Sequence, residues 1–163
     1  MKIFELIGDS EEDRKSHSDA RDKTGFWGEM GAGCIFFAED TKKFLICLRS
    51  TEVLEPHTWG TWGGAMNKGE SPAIAAKREA FEEIGRSVSV TSEIPLYVFK
   101  SNNFQYHNFL IVTPHEFAPF LDWESDDYVW VSYGEWPKPM HFGLSGIIND
   151  AKSSEILRNI STE

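Results

Sequence analysis

The stretch "GGAMNKGESPAIAAKREAFEEIGRS", from Gly63 to Ser87, decides how the rest of the chain is read. Ser71-Pro72 makes a helix start, with serine as N-cap and proline at the first helical position, where its missing N–H is no loss. Gly85 is a good C-terminal stop. Between them "AIAAKREAFEEI" is predicted to be helical. At about 100° per residue, Glu82 lies about 60° to one side of Glu79 and Glu83 about 40° to the other, so the three carboxylates share one side. Ile74, Phe81 and Ile84 form a separate apolar stripe that would anchor the helix to a sheet. Like charges at this spacing destabilise an isolated helix by roughly 0.2–0.5 kcal/mol per pair. In a chain already at net charge -10, they need a reason.

A plain reason is a solvated acidic face, relieved by Arg78–Glu82 and Glu82–Arg86 pairs at i,i+4. The flanks argue for more. A glycine turn, Gly63-Gly64, precedes the helix, and a further carboxylate, Glu70, stands just before its start. Clustered carboxylates beside accessible backbone are what hard divalent cations seek, since these take oxygen ligands and bridge to substrate phosphates.

From Gly64 the chain reads glycine, five residues, Glu70, seven residues, then Arg78-Glu79-Ala80-Phe81-Glu82-Glu83-Ile84-Gly85-Arg86. This resembles the Nudix box: glycine, five residues, glutamate, seven residues, then Arg-Glu-U-x-Glu-Glu-x-Gly-U, with U a bulky aliphatic. Every fixed position is matched. At the two U positions Ala80 is small and Arg86 departs outright, which touches the helix exit but no acidic group. The resemblance extends over most of the chain and implies an α/β fold, the Nudix-type α/β/α sandwich with a mixed central sheet.

The same resemblance implies a MutT-like pyrophosphohydrolase that needs Mg2+ or, alternatively, Mn2+. Its substrate would be a nucleoside diphosphate linked to a further group, such as a (deoxy)nucleoside triphosphate or a nucleotide sugar like ADP-ribose. By family analogy Glu82 and Glu83 are the principal metal ligands, and Glu79 is a further ligand or the group that orients or deprotonates water. Gly64 belongs to the same metal set, Glu70 holds the loop or helps through water, and Arg78 orients a neighbouring carboxylate with its planar fork. The Gly63-Gly64 turn lets backbone approach metal and phosphate with no Cβ in the way. Glu124, six residues before Trp130 in "DWESDDYVW", is the candidate for an additional catalytic carboxylate, with Asp126 and Asp127 as rivals. Arg49 is the candidate contact for phosphate or ribose, and Trp59, Trp62, Trp123 and Phe104 are candidates to stack on a base. His57 and His107 read as structural. The alternative reading is a silent Nudix-fold module that senses a nucleotide without cleaving it, although all four box glutamates and the arginine are present.

Working outward, "MGAGCIFFAED" and "TKKFLICLRS" read as two strands joined by a tight turn around Asp40-Thr41. "HTWGTWGG" reads as one short strand running into a loop, and "EIPLYVFKSNN" with "FQYHNFLIVTP" as a hairpin. "DDYVWVSYGEW" is a further strand, with Tyr128, Trp130 and Ser132 on one face and Val129 and Val131 on the other. "GLSGIINDAKSSEILRNI" is expected to be one closing helix opened by Gly143, with Leu144, Ile147, Ile148 and Ala151 as its apolar stripe. Residues 1–25 are expected to be partly mobile, the charged run Ser10 to Lys23 forming a loop or lid, ahead of a single domain that spans 1–163.

Composition sets the outer limits. The balance of 26 Asp+Glu against 16 Lys+Arg, with no basic run, argues against nucleic acid as the main partner. A small nucleotide is the expected ligand, and a homodimer is carried only by family habit. Cys34 and Cys47 sit in apolar runs without C-x-x-C spacing, which reads as two reduced core thiols. There is no signal-peptide pattern and no run of roughly 18 apolar residues. Together these readings point to the cytoplasm.

Overall fold

The computed structural model describes residues 30–163, so the expected mobile segment and lid at the N-terminus lie outside the described residues. Strand β1 (Met30–Ala38) is apolar along its length, and strand β2 (Lys43–Arg49) is apolar between its charged ends, as strands covered on both faces must be. They form the expected antiparallel pair, from Phe36↔Leu45 to Ala38↔Lys43. Beyond that register the two strands part, and the expected single strand in "HTWGTWGG" is divided between them. Strand β3 (Trp59–Gly60) pairs with β2, and strand β4 (Trp62–Ala65) pairs with β1. The split has a visible pin: the Trp62 indole N–H donates to the Leu45 carbonyl at 3.3 Å.

Helix α1 (Pro72–Ile84) begins and ends where the sequence says, with the Ser71 hydroxyl accepting from the Ile74 N–H and Gly85 at φ 69°. Its buried face differs from the expected stripe. Ala75, Ala76, Ala80 and Ile84 are buried, Phe81 is half-buried, and Ile74 is 59% exposed. The small side chains let the helix backbone lie close to the sheet, so alanines rather than Ile74 supply the contact. Strands β5 (Ser92–Ser101) and β6 (Phe104–Thr113) form the expected hairpin, and β6 lies parallel to β1, which makes the sheet mixed. Strand β7 (Ser125–Val131) covers the other edge of β2.

The closing segment is two helices, α2 (Phe142–Asn149) and α3 (Ala151–Thr162), where one was expected. Asp150 is extended and ends α2, and its carboxylate accepts from the Ser153 N–H at 3.0 Å to cap α3. His141, not Gly143, caps α2, with Nδ1 accepting from the Gly143 N–H. Leu144 and Ile147 are buried, while Ala151 is exposed because α3 restarts the helical phase. Alternation along the strands divides the core into two layers. Cys34, Phe36, Leu45 and Ile111 meet α1, and Ile35, Phe37, Phe44 and Leu110 share a layer with Leu144, Ile147 and Leu157. Tyr128 and Trp130 join the first layer and Val129 and Val131 the second, as the alternation predicted. The result is an α/β/α sandwich around a seven-stranded mixed sheet.

Candidate active site

Arg78, near the middle of α1, gathers the acidic residues around it. Its Nε and Nη2 donate to the two oxygens of Glu70 at 2.7 and 2.9 Å, a bidentate fork across the loop before the helix. Nη2 also donates to the Ala65 carbonyl at 2.9 Å, which ties β4 to the helix. Nη1 donates to Glu79 at 2.8 Å and lies 3.4 Å from both oxygens of Glu82. Glu70 also accepts from the Asn67 N–H, which closes the loop. The Glu70 hydrogen bond foremost raises the proton affinity of Arg78, and the same contact lowers that of Glu70. Arg86 turns away from the expected pairing with Glu82, donating to Ala118 O at 3.4 Å and lying over the Phe120 ring.

Glu83 lies buried against the sheet, on the glycine next to the one that seats Glu79. It is 9% exposed, and Oε2 accepts from the Gly63 N–H at 3.2 Å. Burial foremost, and then the charges of Glu124, Cys47, Glu79 and Asp122, push its carboxyl well above the usual range. A cleft of about 10 Å3 lies here, lined by Glu83, Glu124, Gly63, Thr61 and Arg49 among others. That is close to the least volume that holds a single water, roughly 10–15 Å3. Glu124 is brought there by the loop before β7: Ser50 N–H donates to the Glu124 carbonyl, Ser50 Oγ to the Trp123 carbonyl, and Glu124 N–H to Asp122. A register shift between β2 and β7 at Leu48/Arg49 leaves Asp126 unpaired. Both rivals of Glu124, Asp126 and Asp127, are exposed.

The two glycines of the turn do different jobs. A Cβ on Gly64 would fall on the Glu79 carboxylate, so this position is a seat for that side chain. A Cβ on Gly63 would meet Ala32 O and Gly33 Cα at 2.5 Å and the Tyr106 hydroxyl closer still. Tyr106 lies across Gly31, Gly33 and Gly63, a floor without side chains.

On the far side of Tyr106 is a second cavity of about 190 Å3, between β5, β6 and the start of α2. Arg49 and Thr61 line both cavities. Arg49 is not a surface residue: it is 6% exposed, and Nε and Nη2 donate to the Leu54 carbonyl at 3.0 and 2.6 Å.

Several expectations need correction. Trp62 cannot stack on a base, because it is fully buried in the first core layer. Trp59 packs into the second core layer, and Phe104 lies 6.4 Å from Phe99, centroid to centroid. Trp123 is 41% exposed. The cavity wall contains two residues that the sequence reading left out, Asn108 and His141. The signal for Asn108 was present: a lone amide in the apolar run "HNFLIV".

The donor set suits a hard divalent cation in its chemistry. All the candidate ligands are oxygens, and the buried Glu83 carries a repulsion that a cation relieves. It is not a closed cage. Among the described residues no three His, Cys, Asp or Glu side chains converge as ligands, and Arg78 holds Glu79 and Glu82 on its own side.

A family model described as NUDIX domain matches residues 29–150. No curated protein matches the chain. Among solved structures, the chain is similar to a Nudix hydrolase from M. smegmatis, RenU, at 21% identity and TM-score 0.62, covering 84% of this chain and 88% of that one. It is also similar to the MutT NUDIX hydrolase from Burkholderia pseudomallei, at 19% identity and TM-score 0.57, over 72% and 92% of the two chains. A C. elegans Ap4A hydrolase aligns at 20% identity and TM-score 0.54, over 81% and 96%. At these identities the likeness is one of fold.

Proposed function

Since this chain belongs to the Nudix family, whose members are hydrolases acting on pyrophosphate bonds, we propose that it cleaves the diphosphate bridge of a nucleoside diphosphate linked to a further group. The observation that carries this reading is the Arg78 fork, which gathers Glu70, from the loop before α1, with Glu79 and Glu82 of the helix, while Glu83 and Glu124 line one cleft. Five carboxylates with one organising guanidinium suit phosphate chemistry through a cation. Glu79, Glu82 and Glu83, with backbone at Gly64, would hold the divalent ion, Mg2+ or Mn2+. When bound, such an ion neutralises phosphate charge and stabilises charge developing on the phosphoryl group.

The chain's own residues do the rest. Arg49 meets a phosphate oxygen or the ribose at the junction of the two cavities. Glu79 and Glu124 are the candidates to orient the attacking water and take its proton. A bond forms from water oxygen to phosphorus, the bridging P–O bond breaks, and a nucleoside monophosphate leaves with the other phosphorylated fragment. The substrate class is a (deoxy)nucleoside triphosphate or a nucleotide sugar such as ADP-ribose.

One observation favours the alternative, a module that binds a nucleotide without cleaving it: no three ligating side chains converge among the described residues. A single experiment separates the two. The protein is incubated with Mg2+ or Mn2+ and a panel of nucleoside triphosphates, ADP-ribose, sugar nucleotides and dinucleoside polyphosphates, beside Glu83→Gln and Glu82→Gln. Metal-dependent release of a nucleoside monophosphate, lost in Glu83→Gln while its stability is equal or higher, is the expected result. Gln removes a buried charge and keeps the acceptor for Gly63, so a structural role would not produce that pattern. Nucleotide binding with no turnover of any compound would put the sensing module first.

A further inference from the structure

Arg49 and Ser50, consecutive at the end of β2, each tie down a different loop. Arg49 is fixed through backbone and side chain together. Its N–H donates to the Thr58 carbonyl and its carbonyl accepts from the His57 N–H, both at 2.9 Å, while the guanidinium reaches the Leu54 carbonyl. Ser50 bonds the other loop, the one that carries Glu124. Its N–H donates to the Glu124 carbonyl at 2.9 Å, and its hydroxyl donates to the Trp123 carbonyl at 2.6 Å. The same hydroxyl accepts from the Glu52 N–H at 3.2 Å, so it is held from behind while it holds Trp123. Ser50 is 2% exposed, so these bonds are made away from water, where an unpaired group is costly.

The Glu124 loop depends on such bonds. No residue from Phe120 to Glu124 is fully buried, and Phe120 and Trp123 are exposed. The Phe120 N–H donates to the Ile84 carbonyl at 2.8 Å, and Leu121 packs partly against the first core layer. Nearer Glu124 the hold is polar: the Glu124 N–H on Asp122, and the two bonds from Ser50. The loop enters β7 through a jump in register, with Leu48 opposite Asp127 and Arg49 opposite Ser125. Irregularities of this kind re-aim a strand beside a site. Arg49, Glu83 and Glu124 then line one small cleft.

We propose that Ser50 is a positioning residue for Glu124, its hydroxyl holding the Trp123–Glu124 backbone against the end of β2 so that the carboxylate keeps its place beside Arg49 in the shared cleft. The proposal rests on the hydrolase reading for what Glu124 does there; the tether itself stands on the hydrogen bonds. A reacting group displaced by about 1 Å can lose about a hundredfold in rate, so this bond acts on turnover more than on binding.

The test compares the unaltered full chain with Ser50→Ala, Glu124→Gln and the double variant. Kinetics are measured with Mg2+ on ADP-ribose and nucleoside triphosphates, and amide hydrogen exchange is followed by NMR without metal or nucleotide. Ser50→Ala keeps the backbone N–H, so its effect reports the hydroxyl. Exchange at the residue-50 amide is expected to quicken about fivefold or more, with the β1 amides unchanged. At the same time kcat should fall about tenfold or more while KM moves less than about twofold. Ser50→Ala should add nothing to Glu124→Gln, because residues that act as a unit are not additive. Unchanged exchange or unchanged kcat in Ser50→Ala, multiplied losses in the double variant, or full activity of Glu124→Gln would each overturn the positioning role and leave the hydrolase standing. Should Ser50→Ala not fold, the unaltered protein still decides. A Ser50 amide that exchanges as slowly as those of β2 supports the tether, and one that exchanges like an open loop overturns it. No turnover of any compound by the unaltered protein removes the hydrolase; faster exchange in Ser50→Ala then supports the tether alone, and unchanged exchange overturns it.

Discussion

At the scale of single residues, Gly63 and Gly64 are neighbours with different reasons to lack a side chain. Gly64→Ala puts a methyl where the Glu79 carboxylate sits, and Glu79 is a flexible side chain that can move. The expected outcome is little change in the urea midpoint and a fall in kcat/KM of about a hundredfold, the cost of displacing a reacting group by about 1 Å. Gly63→Ala instead meets backbone at Ala32 and Gly33, which cannot give way. It is expected to lose about 1–3 kcal/mol in the same denaturation, as overpacking does. Equal effects from the two would show that the turn acts as one unit. Arg78→Lys keeps the charge and loses the fork to Glu70 and Ala65. It should lower stability by about 2 kcal/mol and reduce turnover as well, whereas a change in KM alone would place Arg78 in substrate binding.

At the scale of elements, α2 starts on a buried, neutral histidine. His141 is pushed down to about 3 by burial first and the Arg49 charge second, so the folded chain resists a proton that the unfolded chain takes near 6.5. The unfolded state then binds more protons, and stability falls as pH falls. The contribution is complete above about 6.5 and declines from there toward about 3, by up to about 1.4 kcal/mol per pH unit. Urea unfolding at pH 7, 6 and 5 should therefore show a shallower pH dependence in His141→Gln than in the unaltered protein. Identical slopes would mean that the histidine is solvated enough to accept its proton in the fold. The same element illustrates how a boundary escapes a periodicity argument. "GLSGIINDAKSSEILRNI" carries apolar residues at helical spacing throughout, yet Asp150 caps backward and forward at once and divides it. For α1, by contrast, Ser71, Pro72 and Gly85 act on their nearest neighbours, and both ends were legible.

At the scale of the whole molecule, a chain of net charge -10 is read as a handler of polyphosphates, so local cations must overcome a repulsive field. Screening weakens that field over roughly 10 Å at 0.1 M salt. At fixed free Mg2+, kcat/KM is expected to rise about threefold between roughly 20 and 150 mM KCl. A fall would mean that Arg49 and the metal dominate the approach of substrate. No helix among the described residues is long and apolar enough to cross a membrane. By itself the sequence determined the acidic helix, its ends, most of the strands and the family, because caps, turn residues and alternation act between near neighbours and the box is contiguous. Only the tertiary structure decided which carboxylate is buried, that Trp62 belongs to the core, and that Arg49, Asn108 and His141 share a cavity. Those depend on β2, β6 and the start of α2, distant in sequence, meeting around one cavity, and on the parting of β1 and β2 that lets β3 and β4 in between them. Burial is set by what the rest of the chain places overhead, and no local pattern of residues encodes that.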